Sequence, residues 1–353
     1  EPTVVSAAHA ALAKMGLSSP NAAAARALIR SEIRRLETFS NLNADEATWW
    51  IWHHKTGPLA NPGPGKLVTN QHPSTIVNKL AIHRLAATLQ FLGVPTVEDQ
   101  QTELIYWLET ATIRAGAVAR RWDEISTENL SDTLAKAIHD DHLAAATTCA
   151  AQLGRRADVA ALSSVGGQRS SLATALAHPN RELRYAALEA IMKIKPQQTF
   201  AGASGVSPAL WHFATSAAEK EKQPEHTEQA AAALGWLAEL LETGHPYDEM
   251  LRDAKQISLT LYQPELTEAT LRVLAVLGTA DSQQLLLNFI STNTLPIESR
   301  RTASQALATS VKRFGKLLTS GEILRQYDRY NASETADSDT QEVLSEVLDL
   351  LEK

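Results

Sequence analysis

Four consecutive residues, His139-Asp140-Asp141-His142, form the clearest metal-ligand pattern in the chain. Two imidazoles at i and i+3 with carboxylates between them are donor types that a divalent ion accepts. One reading is therefore a metal-binding module, or a metal-dependent enzyme that also recruits His178. The simpler reading is electrostatic. If a helix begins at His139, the two acids sit in its first turn and complement its dipole.

Other residue patterns weaken on inspection. His53-His54 could join Trp49, Trp50 and Trp52 in a site. Adjacent strand residues point to opposite faces, so two neighbouring histidines do not easily grip one ion. Trp49, Trp50, Trp52 and His53 are better candidates for partner contact, because tryptophan is enriched at binding hot spots. Gly63-Pro64-Gly65-Lys66 suggests a phosphate loop, but Ala60 stands where the first glycine belongs and Leu67 where the Ser/Thr belongs. Ser204 in Ala203-Ser204-Gly205 lacks the G-x-S-x-G frame of a nucleophile elbow. Cys149, the single cysteine, is expected to be a buried structural thiol and excludes a disulfide framework or a cysteine-built metal site. No catalytic residue and no cofactor is expected.

The elements that position these residues read as helices. The periodicity predicts helices over Thr3–Met15, stopped by Gly16, and over Asn21–Phe39, a first αα-hairpin. Thr48 to His53 is aromatic and β-branched and runs into Lys55-Thr56-Gly57-Pro58, which predicts a small β-hairpin over residues 48–60. Asn61 to Gly65 reads as an irregular loop. A second helical hairpin follows over Pro73–Phe91 and Thr96–Ala119. Helices are then expected at His139–Leu153, Gln168–Ala177 and His178–Ile191, and a last one from Asp337 to Leu351.

The second part of the chain repeats. Gln223-Pro224-Glu225-His226-Thr227-Glu228 and Gln263-Pro264-Glu265-Leu266-Thr267-Glu268 match closely, and Pro296-Ile297-Glu298 opens a further helix. Proline at a first helical turn needs no N–H partner, and glutamate there suits the dipole. A recurrence of about 40 residues is the period of stacked helix pairs. These signals divide the chain into 1–135, helical hairpins with a tryptophan-rich β excursion, and 136–353, a repeat solenoid.

Composition agrees with this all-α class. The chain has 353 residues, 44% of them hydrophobic, with 56 alanines and 46 leucines, too apolar for disorder and rich in helix formers. No apolar run is long enough for a transmembrane segment. The net charge is −7 and the basic pairs Arg34-Arg35, Arg120-Arg121, Arg155-Arg156 and Arg300-Arg301 are scattered, so no nucleic acid partner is expected. The chain starts Glu1-Pro2-Thr3 without an initiator methionine, as a processed protein does, and its composition suits an exported or a cytoplasmic protein equally.

The segment His178 to Ile191, followed by Met192-Lys193-Ile194-Lys195-Pro196, resembles the second half of a HEAT repeat, and the Pro-Glu-x-Thr-Glu openings are similar. Arg184-Tyr185-Ala186-Ala187-Leu188-Glu189-Ala190-Ile191-Met192 with Pro196-Gln197-Gln198-Thr199-Phe200-Ala201-Gly202, and the Trp49-Trp50-Ile51-Trp52 segment, resemble a group of uncharacterised bacterial HEAT-repeat proteins. The resemblance implies an armadillo-like α-solenoid and a scaffold or protein-binding role, with no established chemistry. The di-iron hydroxylases, which use HEAT-like repeats, carry His-Glu dipeptides, and none occurs among the 11 histidines here. The expectation is a non-enzymatic scaffold with protein partners. Self-association through the C-terminal end of the solenoid is a further expectation.

Overall fold

Fourteen α-helices, short 3-10 turns and one two-stranded sheet make up the described residues of a computed structural model of the chain. Those residues are 10–11, 13–15, 21–40, 46–53, 66–111, 122–163, 168–216, 224–244, 255, 257–335 and 338–352. Most of the helix expected over Thr3–Met15 lies outside them. The chain divides into two compact units, Glu1–Leu153 and Gly154–Lys353.

Unit 1 contains α1 (Ala22–Ser40), α2 (Ser74–Leu89), α3 (Val97–Glu109), α4 (Thr127–His139) and most of α5 (Leu143–Arg156). Helix α1 packs on α2, α2 on α3, and α3 on α4. Ile33, Leu80, Ile82, Leu89, Leu104 and Ile105 are buried among them. Thr96 starts α3 with a capping box: its hydroxyl accepts from the Asp99 N–H, and the Asp99 carboxylate accepts from the Thr96 N–H.

Three expectations for this unit are corrected. The β-hairpin predicted within residues 48–60 is not seen. Instead β1 (Glu46–His53) pairs antiparallel with β2 (Lys66–Pro73), from Glu46 opposite Pro73 to His53 opposite Lys66. Pro58, Pro62 and Pro64 lack the N–H a ladder needs, so the sequence from 57 to 65 suits a connection better than a strand. The expected turn at Lys55–Pro58 and loop at Asn61–Gly65 lie outside the described residues.

Second, the helix expected over Thr96–Ala119 ends at Glu109, ahead of residues 112–121, which lie outside the description. Third, the helix expected to begin at His139 begins at Leu143, and α4 precedes it. Asp141 adopts φ +60°, and the His142 N–H donates to the Ala137 carbonyl at 2.8 Å, so the chain closes one helix here before starting the next. Because α4 packs on α3, the boundary between units falls after Leu153 rather than at residue 135.

Unit 2 contains α6 (Ser171–Leu176), α7 (Arg181–Ile194), α8 (Val206–Ser216), α9 (Pro224–Thr243), α10 (Pro264–Leu277), α11 (Ala280–Ile290), α12 (Ile297–Phe314), α13 (Ser320–Ala332) and α14 (Ser338–Glu352). The proline openings hold at α9 and α10, whose first residues are Pro224 and Pro264, and at α12, which follows Pro296. Helix α7 starts later than its Pro179: the Asn180 side chain accepts from the Leu183 N–H at 2.9 Å and sets the start at Arg181.

Several neighbouring helices in unit 2 share a direction. Arg181 near the start of α7 donates to Gln229 near the start of α9 at 3.0 Å, and Lys195 just past α7 donates to Glu239 late in α9 at 2.5 Å. Pro224 of α9 and Glu265 of α10 line one cleft, so these two helices also start side by side. Helix α10 packs on α12. Arg301 of α12 reaches Asp339 of α14 at 3.3 Å, and Lys316 past the end of α12 donates to the Leu351 carbonyl at 3.1 Å. Helix α8 packs on α9, α11 on α10 and α12, and α13 on α14. No helix among the described residues is long and apolar enough to cross a membrane.

Candidate functional site

The four residues of the candidate metal cluster are separated by the α4–α5 elbow. Asp140 is bound to Lys136 one turn back at 2.7 Å. His142 lies edge-on against Tyr106, with ring centroids 5.1 Å apart, and its Nδ1 is 4.0 Å from the Glu109 carboxylate. His178 caps a turn, accepting the Asn180 N–H on Nδ1 at 3.1 Å. Among the described residues no three His, Cys, Asp or Glu side chains come together as ligands. The acids also sit at the end of α4 rather than in the first turn of a helix, so the electrostatic reading is corrected too.

Burial and helix packing explain what His142 does instead. Glu109, at the end of α3, has a side chain only 5% exposed and accepts from Lys79 of α2 at 2.6 Å and from the Ala145 N–H of α5 at 3.2 Å. Burial lowers the His142 pKa below its ordinary value, against the opposing pull of Glu109. Tyr106 donates to Glu37 of α1 at 3.1 Å, and burial together with Glu37 raises its pKa. This network ties α1, α2, α3 and α5 together.

A charged cleft of about 280 Å³ lies beside it, lined by Arg30, Arg34, Glu37, Glu98, Asp99 and Lys136 among others. Its charges are largely self-satisfied. Asp99 is bonded to both Arg26 and Arg30, and Lys136 is held by Asp140.

Unit 2 carries a different grouping, drawn from α7, α8 and α9. The Arg181 guanidinium lies 4.9 Å and that of Arg184 5.6 Å from the centre of the Phe213 ring. Tyr185 meets the same ring edge-on at 5.2 Å and approaches Trp236 at 5.9 Å. Phe213 is fully buried, Tyr185 and Trp236 are half-buried, and His212 is exposed. Arg184 meets His212 Nε2 at 2.9 Å. Burial, with Glu189 and Glu228 nearby, pushes the Tyr185 pKa up to about 12. The grouping was missed from sequence because its members are spread over three helices. The available signal was Arg181, Arg184 and Tyr185 at i, i+3 and i+4, which share one helix face.

The remaining candidates are placed as follows. Trp49, Trp50, Trp52 and His53 lie on β1, opposite Asn70, Thr69, Leu67 and Lys66 of β2. Cys149 is fully buried within α5, and burial pushes its thiol up to about 12, far from a nucleophile's range. Ser204 falls in a 3-10 turn before α8. The apolar residues of α14, among them Val343, Leu344, Val347 and Leu348, are already buried. No family model matches the chain, and no curated protein matches it.

Proposed function

We propose that unit 2 is a HEAT-like α-solenoid and that the protein is a non-enzymatic scaffold that binds other proteins along its helical surface. The observation that carries the reading is the shared direction of α7 and α9, and of α12 and α14, each pair joined by polar contacts at starts and ends, with α10 packed on both α9 and α12. Helices that recur in one direction side by side would present a continuous row of side chains. Such a row suits recognition of an extended partner. Trp49, Trp50, Trp52 and His53 are a second candidate contact segment.

Two measurements test the reading. Native-state hydrogen exchange should show α13 and α14 opening as a unit while α9 and α10 stay protected, because solenoid repeats are stabilised only by their neighbours. Exchange of all of unit 2 in one cooperative step counts against the solenoid. Affinity capture on the immobilised full chain should retain the same protein in every replicate. Replicates that share no retained protein count against the scaffold.

A further inference from the structure

We infer that Arg184 is a docking point for a carboxylate side chain of a partner polypeptide, with Tyr185 and Trp236 forming the surface on which the partner's adjoining apolar residue rests. The inference deepens the scaffold reading and rests on it.

Arg184 differs from Arg272 and Arg301, the ion-paired arginines of unit 2. Arg272 is paired with Glu242 at 2.8 Å, and Arg301 with Glu298, Asp339 and Glu342. Among the described residues Arg184 makes no ion pair, and its Nε is buried with no hydrogen-bond partner. Its polar neighbour is His212, a group that brings no negative charge. The acids that bear on neighbouring Tyr185 are Glu189, which Lys193 bridges at 2.9 Å, and Glu228. Neither pairs with Arg184. A half-buried guanidinium with no negative partner gains more from an incoming carboxylate than one already paired, because part of its hydration is already lost.

The surroundings suit a peptide better than a free ion. Two guanidinium groups rest on the buried Phe213 ring, which concentrates positive charge on a low-dielectric wall. Carboxylates meet arginine through two parallel N–H bonds, so the direction of approach is set as well as the charge. Tyr185 follows Arg184 in the chain and Trp236 lies against Tyr185, both half-buried and already packed against neighbours. Trp, Tyr and Arg are the residue types that dominate binding hot spots, and side chains already held in place lose little entropy on binding. The partner segment should therefore carry Asp or Glu next to a bulky apolar residue.

Phage-displayed random dodecapeptides selected on the full chain test this. The best peptide is then synthesised with a fluorescein label, and its affinity is read by anisotropy. The expected peptides pair an acid with a neighbouring apolar residue. Arg184→Gln should weaken the peptide by about tenfold or more. Changing the peptide's acid to its amide should cost the same in the unchanged protein and little further in Arg184→Gln, whereas Arg272→Gln should bind normally. Should Arg184→Gln fail to fold, Arg184→Lys and the exposed His212→Ala carry the comparison, each with weakened binding expected. Equal peptide affinity in Arg184→Gln, or an acid-to-amide loss unaffected by the Arg184 substitution, overturns the inference while leaving the scaffold reading standing. Selection of no peptide above background overturns both.

Discussion

Arg30 grips Asp99 through two donors, Nε to Oδ1 at 2.9 Å and NH2 to Oδ2 at 2.8 Å, across the packing of α1 on α3. Arg26 adds a further bond at 2.5 Å, and the Thr96 N–H another at 3.1 Å. The carboxylate is only 2% exposed. Burial alone would favour the neutral acid. The arginine bonds and the Thr96 cap outweigh that and hold the Asp99 carboxyl well below the usual carboxylate range. One side chain thereby starts α3 and locks α1 to it.

A depressed folded-state pKa fixes the sign of the pH dependence. The stability from Asp99 is fully present above the unfolded value of about 3.9 and is lost as pH falls below it. Asp99→Asn removes the charge at every pH and strands two guanidinium groups. It should cost about 3 kcal/mol at pH 7. Urea melts at pH 7 and pH 3 check this: the gap between the variant and the unchanged protein should narrow at pH 3. A constant gap would sink the argument.

Gly154 and Gly235 make opposite predictions from the same substitution. A Cβ added at Gly154 would fall 2.6 Å from the Ala190 Cα, and backbone cannot yield as a flexible side chain can. Gly154→Ala should therefore destabilise by about 1–3 kcal/mol despite its better helix propensity. A Cβ at Gly235, in the interior of α9, meets nothing within 4 Å. Gly235→Ala should stabilise by up to about 1 kcal/mol. Shifts of the denaturation midpoint in opposite directions are the expected result.

Local rules made much of the fold legible. The periodic apolar stripes of α1 and α2 and the proline openings of α9 and α10 were readable because propensity and start signals act within a few residues. Helix α4 was hidden: Thr127-Glu128-Asn129-Leu130-Ser131-Asp132 reads as polar loop until burial of Leu130 and Leu134 supplies the reason for a helix. The second strand was hidden because its partner is separated from it by a proline-rich connection, and pairing depends on tertiary register. The site was least legible. His139 to His142 are adjacent in sequence yet divided by an αL residue, while Arg184 and His212, like Tyr185 and Trp236, are distant in sequence and close in space.

Cys149 offers a direct check on the interior of α5. Its thiol is fully buried and shifted up to about 12, so thiolate is scarce near neutral pH and access is blocked. An aromatic disulfide reagent at pH 8 should release no colour from the native protein over minutes. It should release one equivalent after unfolding in guanidinium chloride. Rapid reaction of the native protein would contradict both the burial and the direction of the shift.

Arg300 separates charge from shape in the last turns of unit 2. Its side chain is 1% exposed, with Nε donating to the Ile290 carbonyl at the end of α11 at 2.6 Å and NH1 donating to Thr340 in α14 at 2.7 Å. One buried guanidinium thus joins three helices, and its charge faces the negative end of the α11 dipole. Arg300→Ala removes the donors and leaves a cavity, which should cost about 3–5 kcal/mol. Arg300→Met keeps most of the volume and removes a buried charge together with its desolvation cost, so it should cost roughly half as much or less. Thr340→Val, which leaves Arg300 in place but removes its acceptor, should fall between the two because it strands a buried donor. That order, read from chemical denaturation, requires filled volume and relief of the buried charge to offset much of what the lost hydrogen bonds cost. Equal losses for alanine and methionine would show that the hydrogen bonds alone hold the helices and would refute it.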